Sequence, residues 1–174
     1  MPGNCDPRTR DVTSGTDPRL GIVDRERVTH RYPNILVHCV FSTKERRDLI
    51  PQELLPKLWN YFAGIGRNHG MPVLAAGGIS NHSYLVIALP PDMPVAKAVR
   101  VLKANSSRWL HEHGIEFSWQ EVYGAFSVSS SNKEAVKNYI EHQAEHHQKR
   151  SYEIEFEAML RKSGIAFDSK DAFG

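Results

Sequence analysis

A stretch near the C-terminal end carries the side chains best suited to covalent chemistry. Val136, Tyr139, Ile140, Gln143 and His147 recur at helical spacing, so a helix places them on one face. This face includes a phenol, an amide and an imidazole, and burying such groups costs stability unless each has a partner or a task. Tyr139 and Gln143, one helical turn apart, are therefore the first candidates for chemistry.

The start of this helix carries a recognisable signal. Ser131 and Glu134 have the spacing of a capping box, in which each side chain satisfies a backbone N–H of the first turn. The sequence therefore predicts a helix that begins at Ser131 and continues through His147. His142 and His146 add two imidazoles to that of His147, but neighbouring positions diverge on a helix, which disfavours a shared metal ion.

Two further candidates lie at the start of an apolar run. His82 and Tyr84 are two residues apart, so a β-strand directs both side chains to the same face of a sheet. If the helix carrying Tyr139 and Gln143 packs across that face, all four side chains meet.

The elements around these residues follow the order β-α-β-β-α-β, with two helices added at the end. This order predicts an α+β, ferredoxin-like sandwich with an antiparallel sheet, in which the first and third strands are central neighbours. The nearly continuous apolar run in the first strand is typical of a strand buried on both faces. The predicted strands are 34–43, 71–76, 82–89 and 123–128, and the predicted helices outside the Tyr139 helix are 51–70, 94–113 and 151–162.

Composition limits the class of protein. The chain has 174 residues and a formal net charge of +2, which permits a nucleic-acid partner without requiring one. Its two cysteines, Cys5 and Cys39, form neither a disulfide framework nor a zinc pattern. We find no apolar run of transmembrane length and no signal-peptide core, so we expect a cytoplasmic protein without membrane contact.

The chain divides into one domain and two tails. Residues 1–31 are rich in Pro, Gly, Asp, Arg and Thr and show no hydrophobic period, which predicts a disordered or loosely attached N-terminal tail. Residues 32–168 form the predicted domain, and residues 169–174 a C-terminal tail.

Several blocks of the sequence, in order, resemble one family. From about Asn34 to Asp168 the chain is similar to the single-tyrosine HUH transposases of small bacterial insertion sequences, including the REP-associated tyrosine transposases. The blocks are Val40-Phe-Ser-Thr-Lys-Glu-Arg-Arg47, Gly77-Gly-Ile-Ser-Asn-His82, Leu102-Lys-Ala-Asn-Ser-Ser-Arg-Trp-Leu110, Trp119-Gln-Glu-Val-Tyr-Gly-Ala-Phe-Ser-Val-Ser129 and Tyr139-Ile-Glu-His-Gln143 followed by His146-His147.

The resemblance implies an activity and a site. Such proteins cut and rejoin single-stranded DNA beside hairpins through a 5′-phosphotyrosyl intermediate, and the matching nucleophile is Tyr139. A divalent metal, Mg²⁺ or Mn²⁺, is implied, held by the two histidines of the motif and by Gln143. A homodimer is also implied, in which the motif strand of one subunit meets the tyrosine helix of the other. The basic side chains that we expect to contact DNA are Lys44, Arg46, Arg47, Lys103 and Arg108.

The sequence departs from this pattern at one ligand. The histidine–apolar–histidine motif here becomes His82-Ser83-Tyr84, and a neutral phenol is a poor ligand for Mg²⁺. Tyr84 could bind as phenolate, His38 or His147 could replace it, or water and DNA phosphate could complete the shell. In each of these three cases, we expect weakened metal binding.

Three functions follow as hypotheses. The first is an active transposase that uses Tyr139 with His82 and Gln143. The second is a catalytically impaired or domesticated relative that binds hairpin-flanked single-stranded DNA without cleaving it, which the change at Tyr84 favours. The third is a ferredoxin-like metabolic enzyme, for which the sequence shows no small-molecule pocket. Without the resemblance, Tyr139 would be interpreted as a core tyrosine with a bonded hydroxyl.

Overall fold

The structure is a computed structural model and describes residues 33–143 and 151–168. The two predicted tails, together with His146 and His147, lie outside these residues.

Four strands form one antiparallel sheet. They are β1 (Ile35–Ser42), β2 (Val73–Ile79), β3 (His82–Leu89) and β4 (Gly124–Val128). The sheet order is β2-β3-β1-β4, and every neighbouring pair is antiparallel. The prediction of a ferredoxin-like arrangement with β1 and β3 at the centre is therefore confirmed.

Helices cover both faces of the sheet. The helices are α1 (Leu55–Asn68), α2 (Val95–Glu112), α3 (Lys133–Glu141) and α4 (Tyr152–Lys162). Successive residues of β1 and β3 point to opposite faces of the sheet and contribute to two separate hydrophobic cores. The larger core joins α1 and α2 to residues such as Phe41 and Leu85. The smaller core joins α3 and α4 to Val40, Tyr84 and Val86. The added helices therefore cover the face that carries His82 and Tyr84.

The start and the end of α3 differ from the prediction. A 3-10 turn, Ser130–Asn132, precedes α3, and the Ser129 hydroxyl accepts the N–H of Asn132 at 3.3 Å. The predicted capping box is wrong, because Glu134 instead forms ion pairs with Lys133 and Lys137. The helix ends at Glu141, with His142 at its C-cap. Gln143 therefore lies just beyond α3, whereas Tyr139 remains on its inward face.

Strand β2 is longer than predicted. The glycines at 77 and 78 indicated a tight connection, but β2 pairs with β3 as far as Ile79, opposite His82. Only Ser80 and Asn81 separate the two strands. A Cβ atom at Gly77 would overlap the carbonyl oxygen of Ile140 in α3. The absence of a side chain at Gly77 therefore allows α3 to approach the sheet closely.

Candidate active site

The structure brings the predicted tyrosine to the predicted strand within a single chain. The ring centroids of Tyr84 on β3 and Tyr139 on α3 lie 6.1 Å apart, with the rings nearly perpendicular at 80°. Tyr84 is fully buried, whereas Tyr139 is half-buried. The helix that carries Tyr139 therefore packs across the face of Tyr84, which is the condition that the sequence set for these side chains to meet.

A carboxylate that was not predicted from the sequence joins the two tyrosines. Tyr139 Oη donates to Glu155 Oε2 at 2.8 Å, and Tyr84 Oη donates to the same oxygen at 3.0 Å. Glu155 lies on α4 and is only 7% exposed. We refer to Tyr84, Glu155 and Tyr139 as the phenol–carboxylate cluster.

One signal in the sequence could have identified Glu155. It follows the inward-facing Tyr152 by three residues and precedes the inward-facing Met159 by four, so it shares their helix face. A charged residue at such a position is rarely buried unless it is paired. Its partners, however, come from other elements, and α4 alone does not reveal them.

The environment of Tyr84 holds its side chain in the neutral form. Burial raises the pKa of the Tyr84 phenol well above its usual range, and the adjacent Glu155 carboxylate raises this pKa further. The hydroxyl donates to Glu155 and does so only while it is protonated. Binding of a metal by a Tyr84 phenolate, one of the three alternatives considered above, is therefore disfavoured.

His82 is held at the start of β3 by its neighbours. Its Nδ1 atom lies 2.6 Å from Asn81 Oδ1, so the ring N–H donates to the amide oxygen. The imidazole packs against Tyr84 and Tyr152, with ring centroids 5.0 and 4.9 Å away. His82 is fully buried, and its hydrogen bond with Asn81 sets the orientation of the ring.

The polar side chains of Gln143 and His38 are also buried. Gln143 is 1% exposed, and neither its amide nitrogen nor its amide oxygen has a hydrogen-bond partner within residues 33–143 and 151–168. His38 lies on β1 with its ring centroid 5.7 Å from that of Tyr84. Burial lowers the pKa of His38 to about 4, so its imidazole is neutral near pH 7.

The donor set does not fit the divalent-metal site that the resemblance implies. His82 and Gln143 supply an imidazole and an amide, but the third position presents a neutral phenol bonded to Glu155. In the part of the chain that the structure describes, no group of three or more His, Cys, Asp and Glu side chains could hold a metal ion. Mg²⁺ prefers an octahedral shell rich in oxygen ligands, and these side chains do not provide one.

The predicted DNA-contacting residues fall into two groups, one at an end of the sheet and one on helix α2. The loop that carries Lys44, Arg46 and Arg47 follows β1, whose last residue Ser42 pairs with His82. This loop therefore lies at the same end of the sheet as His82. Lys44 and Arg47 are exposed, and Arg46 Nε forms an ion pair with Glu153 Oε1 of α4 at 3.0 Å.

Lys103 and Arg108 belong to α2, across the sheet from the phenol–carboxylate cluster. The Lys103 ammonium donates to the carbonyl oxygens of Gln120, Glu121 and Val122 at 2.6, 3.1 and 3.3 Å. Burial lowers the pKa of Lys103 to about 8. Arg108 is exposed and donates to Asn105 Oδ1 at 2.8 Å. Lys103 thus fixes the segment before β4.

Similarity to known proteins places this architecture among the transposases. Residues 31–143 match the family described as "Transposase IS200 like", and the chain belongs to this family. The chain is 25% identical over 130 residues to the transposases for insertion sequence element IS200 of Salmonella typhimurium strain LT2 and of Salmonella typhi. In each case the alignment covers 70% of this chain and 85% of the relative. Membership of the family implies DNA transposition.

Two solved structures share the fold. A candidate transposase from Deinococcus radiodurans R1 superposes with a TM-score of 0.54 at 19% identity, covering 68% of this chain and 97% of that one. A REP-associated tyrosine transposase bound to a REP hairpin superposes with a TM-score of 0.50 at 16% identity, covering 68% and 73%. None of the helices in residues 33–143 and 151–168 is long and apolar enough to cross a membrane.

The match to the family ends at Gln143. Tyr84 and Tyr139 lie inside the matched segment, whereas α4 and Glu155 lie beyond it. The carboxylate that joins the two tyrosines is therefore contributed by a part of the chain that the family match does not cover.

Proposed function

We propose that this transposase nicks and rejoins single-stranded DNA through a 5′-phosphotyrosyl intermediate on Tyr139. The observation that carries the proposal is the position of the Tyr139 hydroxyl. The Tyr139 ring packs against Tyr84 of β3, and its hydroxyl directs its proton to Glu155. Tyr139 is half-buried, so its hydroxyl is oriented by the protein while part of the side chain faces solvent.

A covalent tyrosine intermediate suits a joining reaction. When the tyrosine replaces one ester of the phosphodiester, the bond energy is kept in the protein–DNA link, and a free DNA end can later reverse the step. A phenol is a weak nucleophile near neutral pH, because its reference pKa is about 10. It therefore requires a group that takes its proton as attack proceeds.

We propose that the DNA approaches at the end of the sheet where β3 begins. Lys44, Arg46 and Arg47 supply positive charge there, and basic side chains of this kind bind phosphates of unpaired strands. A structural neighbour binds a REP hairpin, which supports hairpin-bearing DNA as the substrate class. Contact between DNA and Lys103 or Arg108 stays a prediction.

These DNA contacts can be separated by substitution. We expect Lys44→Gln to weaken single-stranded DNA binding and to reduce the slope of log affinity against log salt by about 0.7, since one phosphate contact is lost. Lys103→Gln should mainly lower stability, because its ammonium is bonded to three carbonyl oxygens. Fluorescence anisotropy at several salt concentrations and urea unfolding would measure the two effects. Equal losses of affinity would place DNA on both faces of the sheet.

The second candidate function is DNA binding without cleavage. Tyr84 favours it, because the neutral phenol stands where the resemblance implies a metal-binding histidine. We assign no step to a metal ion, since the donor set does not fit one. The homodimer implied by the resemblance stays a prediction, and the meeting of Tyr84 with Tyr139 inside one chain does not require a second subunit.

A covalent-adduct assay distinguishes the two functions. Purified protein would be incubated with labelled single-stranded DNA carrying the hairpins that flank its gene, and the products separated on a denaturing gel. We expect a slowly migrating adduct that is absent from Tyr139→Phe and present in Tyr61→Phe, a matched control on α1. DNA binding by the native protein without any adduct would establish the second function.

A further inference from the structure

We propose that Glu155 is a catalytic residue that positions the Tyr139 hydroxyl and accepts its proton during attack on DNA. This role rests on the proposed function of Tyr139 as the nucleophile. The proposed catalytic residue belongs to α4, which lies beyond the segment matched by the family.

The geometry makes Glu155 the direct partner of the reacting atom. Glu155 Oε2 lies 2.8 Å from Tyr139 Oη, which is within the reach required of a general base. The same oxygen accepts a second hydrogen bond from Tyr84 Oη at 3.0 Å. Since Tyr84 is fully buried in the sheet, it anchors the carboxylate to β3 and fixes the distance between α4 and the nucleophile.

The burial of Glu155 requires such an explanation. Its neighbours along the helix, Tyr152, Phe156 and Leu160, belong to the smaller core. A carboxylate in this row costs stability unless hydrogen bonds compensate for lost hydration. Two phenols donate hydrogen bonds to Glu155, and one of them belongs to the proposed nucleophile. The phenol–carboxylate cluster thus places a buried base in hydrogen-bond contact with the Tyr139 hydroxyl, which must lose its proton during attack.

The step balances in atoms and charge. The Tyr139 O–H proton moves to Glu155 Oε2 while the phenolic oxygen forms a bond to phosphorus. The bond between phosphorus and the 3′ oxygen breaks, and its electron pair leaves with that oxygen. The 3′ oxygen takes a proton from water to become a 3′ hydroxyl, and the hydroxide that remains is neutralised when Glu155 releases its proton to solvent. Proton transfer neutralises Glu155 as the new ester forms, so the DNA phosphate does not face a carboxylate and a phenolate together.

Tyr84 has the role of holding the Glu155 carboxylate in place for this proton transfer. At its position a phenol donates a hydrogen bond to Glu155, and its raised pKa keeps it a donor. An imidazole there would not reproduce this bond at the same place, because the ring is shorter than a phenol. The side chain at position 84 and the carboxylate at position 155 therefore act as one unit.

Substitution of Glu155 tests the proposal. Glu155→Gln keeps the shape and an oxygen acceptor but removes the base, so we expect the rate of adduct formation to fall roughly 10²- to 10⁴-fold. Glu155→Asp retains a carboxylate on a shorter side chain and should recover part of that loss. Glu157→Gln, on the same helix, is the matched control and should retain the native rate. Affinity for the same DNA, measured by anisotropy, should stay within about twofold in all three variants.

The outcomes separate this proposal from the proposed function. If the native protein forms the adduct and Glu155→Gln forms it equally fast, the role of Glu155 is refuted while that of Tyr139 stands. If Glu155→Gln and Glu155→Asp form the adduct equally slowly, proton transfer to this carboxylate is refuted. If the native protein forms no adduct, both proposals fail. In the folded variants of Glu155, the ¹³Cζ NMR signals of labelled Tyr84 and Tyr139 should shift, whereas that of Tyr61 on α1 should keep its native position.

Discussion

The hydrogen bond between Tyr84 and Glu155 leads to a quantitative prediction about stability. Tyr84→Phe removes one oxygen atom from a fully buried ring and leaves the rest of the packing in place. Glu155 Oε2 then loses the 3.0 Å donor from Tyr84 and keeps that from Tyr139. Hydrogen bonds to charged groups contribute about 1.5–3 kcal/mol. We expect Tyr84→Phe to lower the free energy of unfolding by about 2 kcal/mol near neutral pH.

The effect should depend on pH in a defined direction. The pKa of Tyr84 in the folded protein lies above the value of about 10 that is usual for tyrosine, so the neutral phenol stabilises the fold fully below pH 10. Above pH 10 the unfolded chain releases this proton first, and the contribution declines as pH rises toward the folded pKa. The difference in unfolding free energy between native protein and Tyr84→Phe should therefore shrink above pH 10.

Urea unfolding followed by circular dichroism would measure both effects. Tyr61→Phe is the control, since Tyr61 stacks on Trp109 at 5.2 Å on the opposite face of the sheet. We expect this control to change stability by less than about 0.5 kcal/mol. A Tyr84→Phe variant as stable as the control, with the same pH dependence as native protein, would refute the interpretation of the cluster.

Three further predictions concern neighbouring parts of the site. Burial lowers the pKa of His38 from 6.5 to about 4. The free energy of unfolding should therefore fall by roughly 3 kcal/mol as pH drops from 6.5 toward 4, and His38→Leu should remove this dependence in unfolding experiments. Gly77→Ala places a methyl group against the Ile140 carbonyl, so it should lower the free energy of unfolding by about 2 kcal/mol and slow adduct formation. The control is Gly64→Ala in α1, where a Cβ meets nothing closer than 3.9 Å, and it should not destabilise the protein. Tyr84→His should tighten Mn²⁺ binding in titration calorimetry by supplying a second imidazole beside His82, and unchanged affinity would contradict the interpretation of Tyr84 as a replaced ligand.

The fold could be derived from the sequence because its signals are local. The apolar run of β1 predicted a strand buried on both faces, and the burial of Leu36 through Ser42 agrees with it. The two-residue spacing of His82 and Tyr84 predicted a shared face, and both contact the smaller core side of the sheet. Helical spacing directed Tyr139 and Ile140 toward that face. Each of these inferences depends on neighbours within a few residues along the chain.

Local signals in the sequence gave a wrong prediction at the start of α3 and at the end of β2. The pattern Ser131-x-x-Glu134 matches a capping box, yet a 3-10 turn capped by Ser129 precedes α3. The paired glycines suggested a turn, yet Gly77 lies in β2, where α3 approaches the backbone. In both places the packing of α3 against the sheet decided the outcome, and the spacing of residues along the chain does not encode that packing.

The sequence by itself determined the order of the elements, the buried face of β3 and the candidate nucleophile Tyr139. Only the tertiary structure decided that Glu155 joins Tyr139 to Tyr84, which are 16 and 71 residues away along the chain. A single carboxylate on a helix gives no sign of its partners, because the hydrogen bonds that make its burial tolerable form only when separate elements pack together. The chemistry available to this site therefore arises from the meeting of α4, α3 and β3.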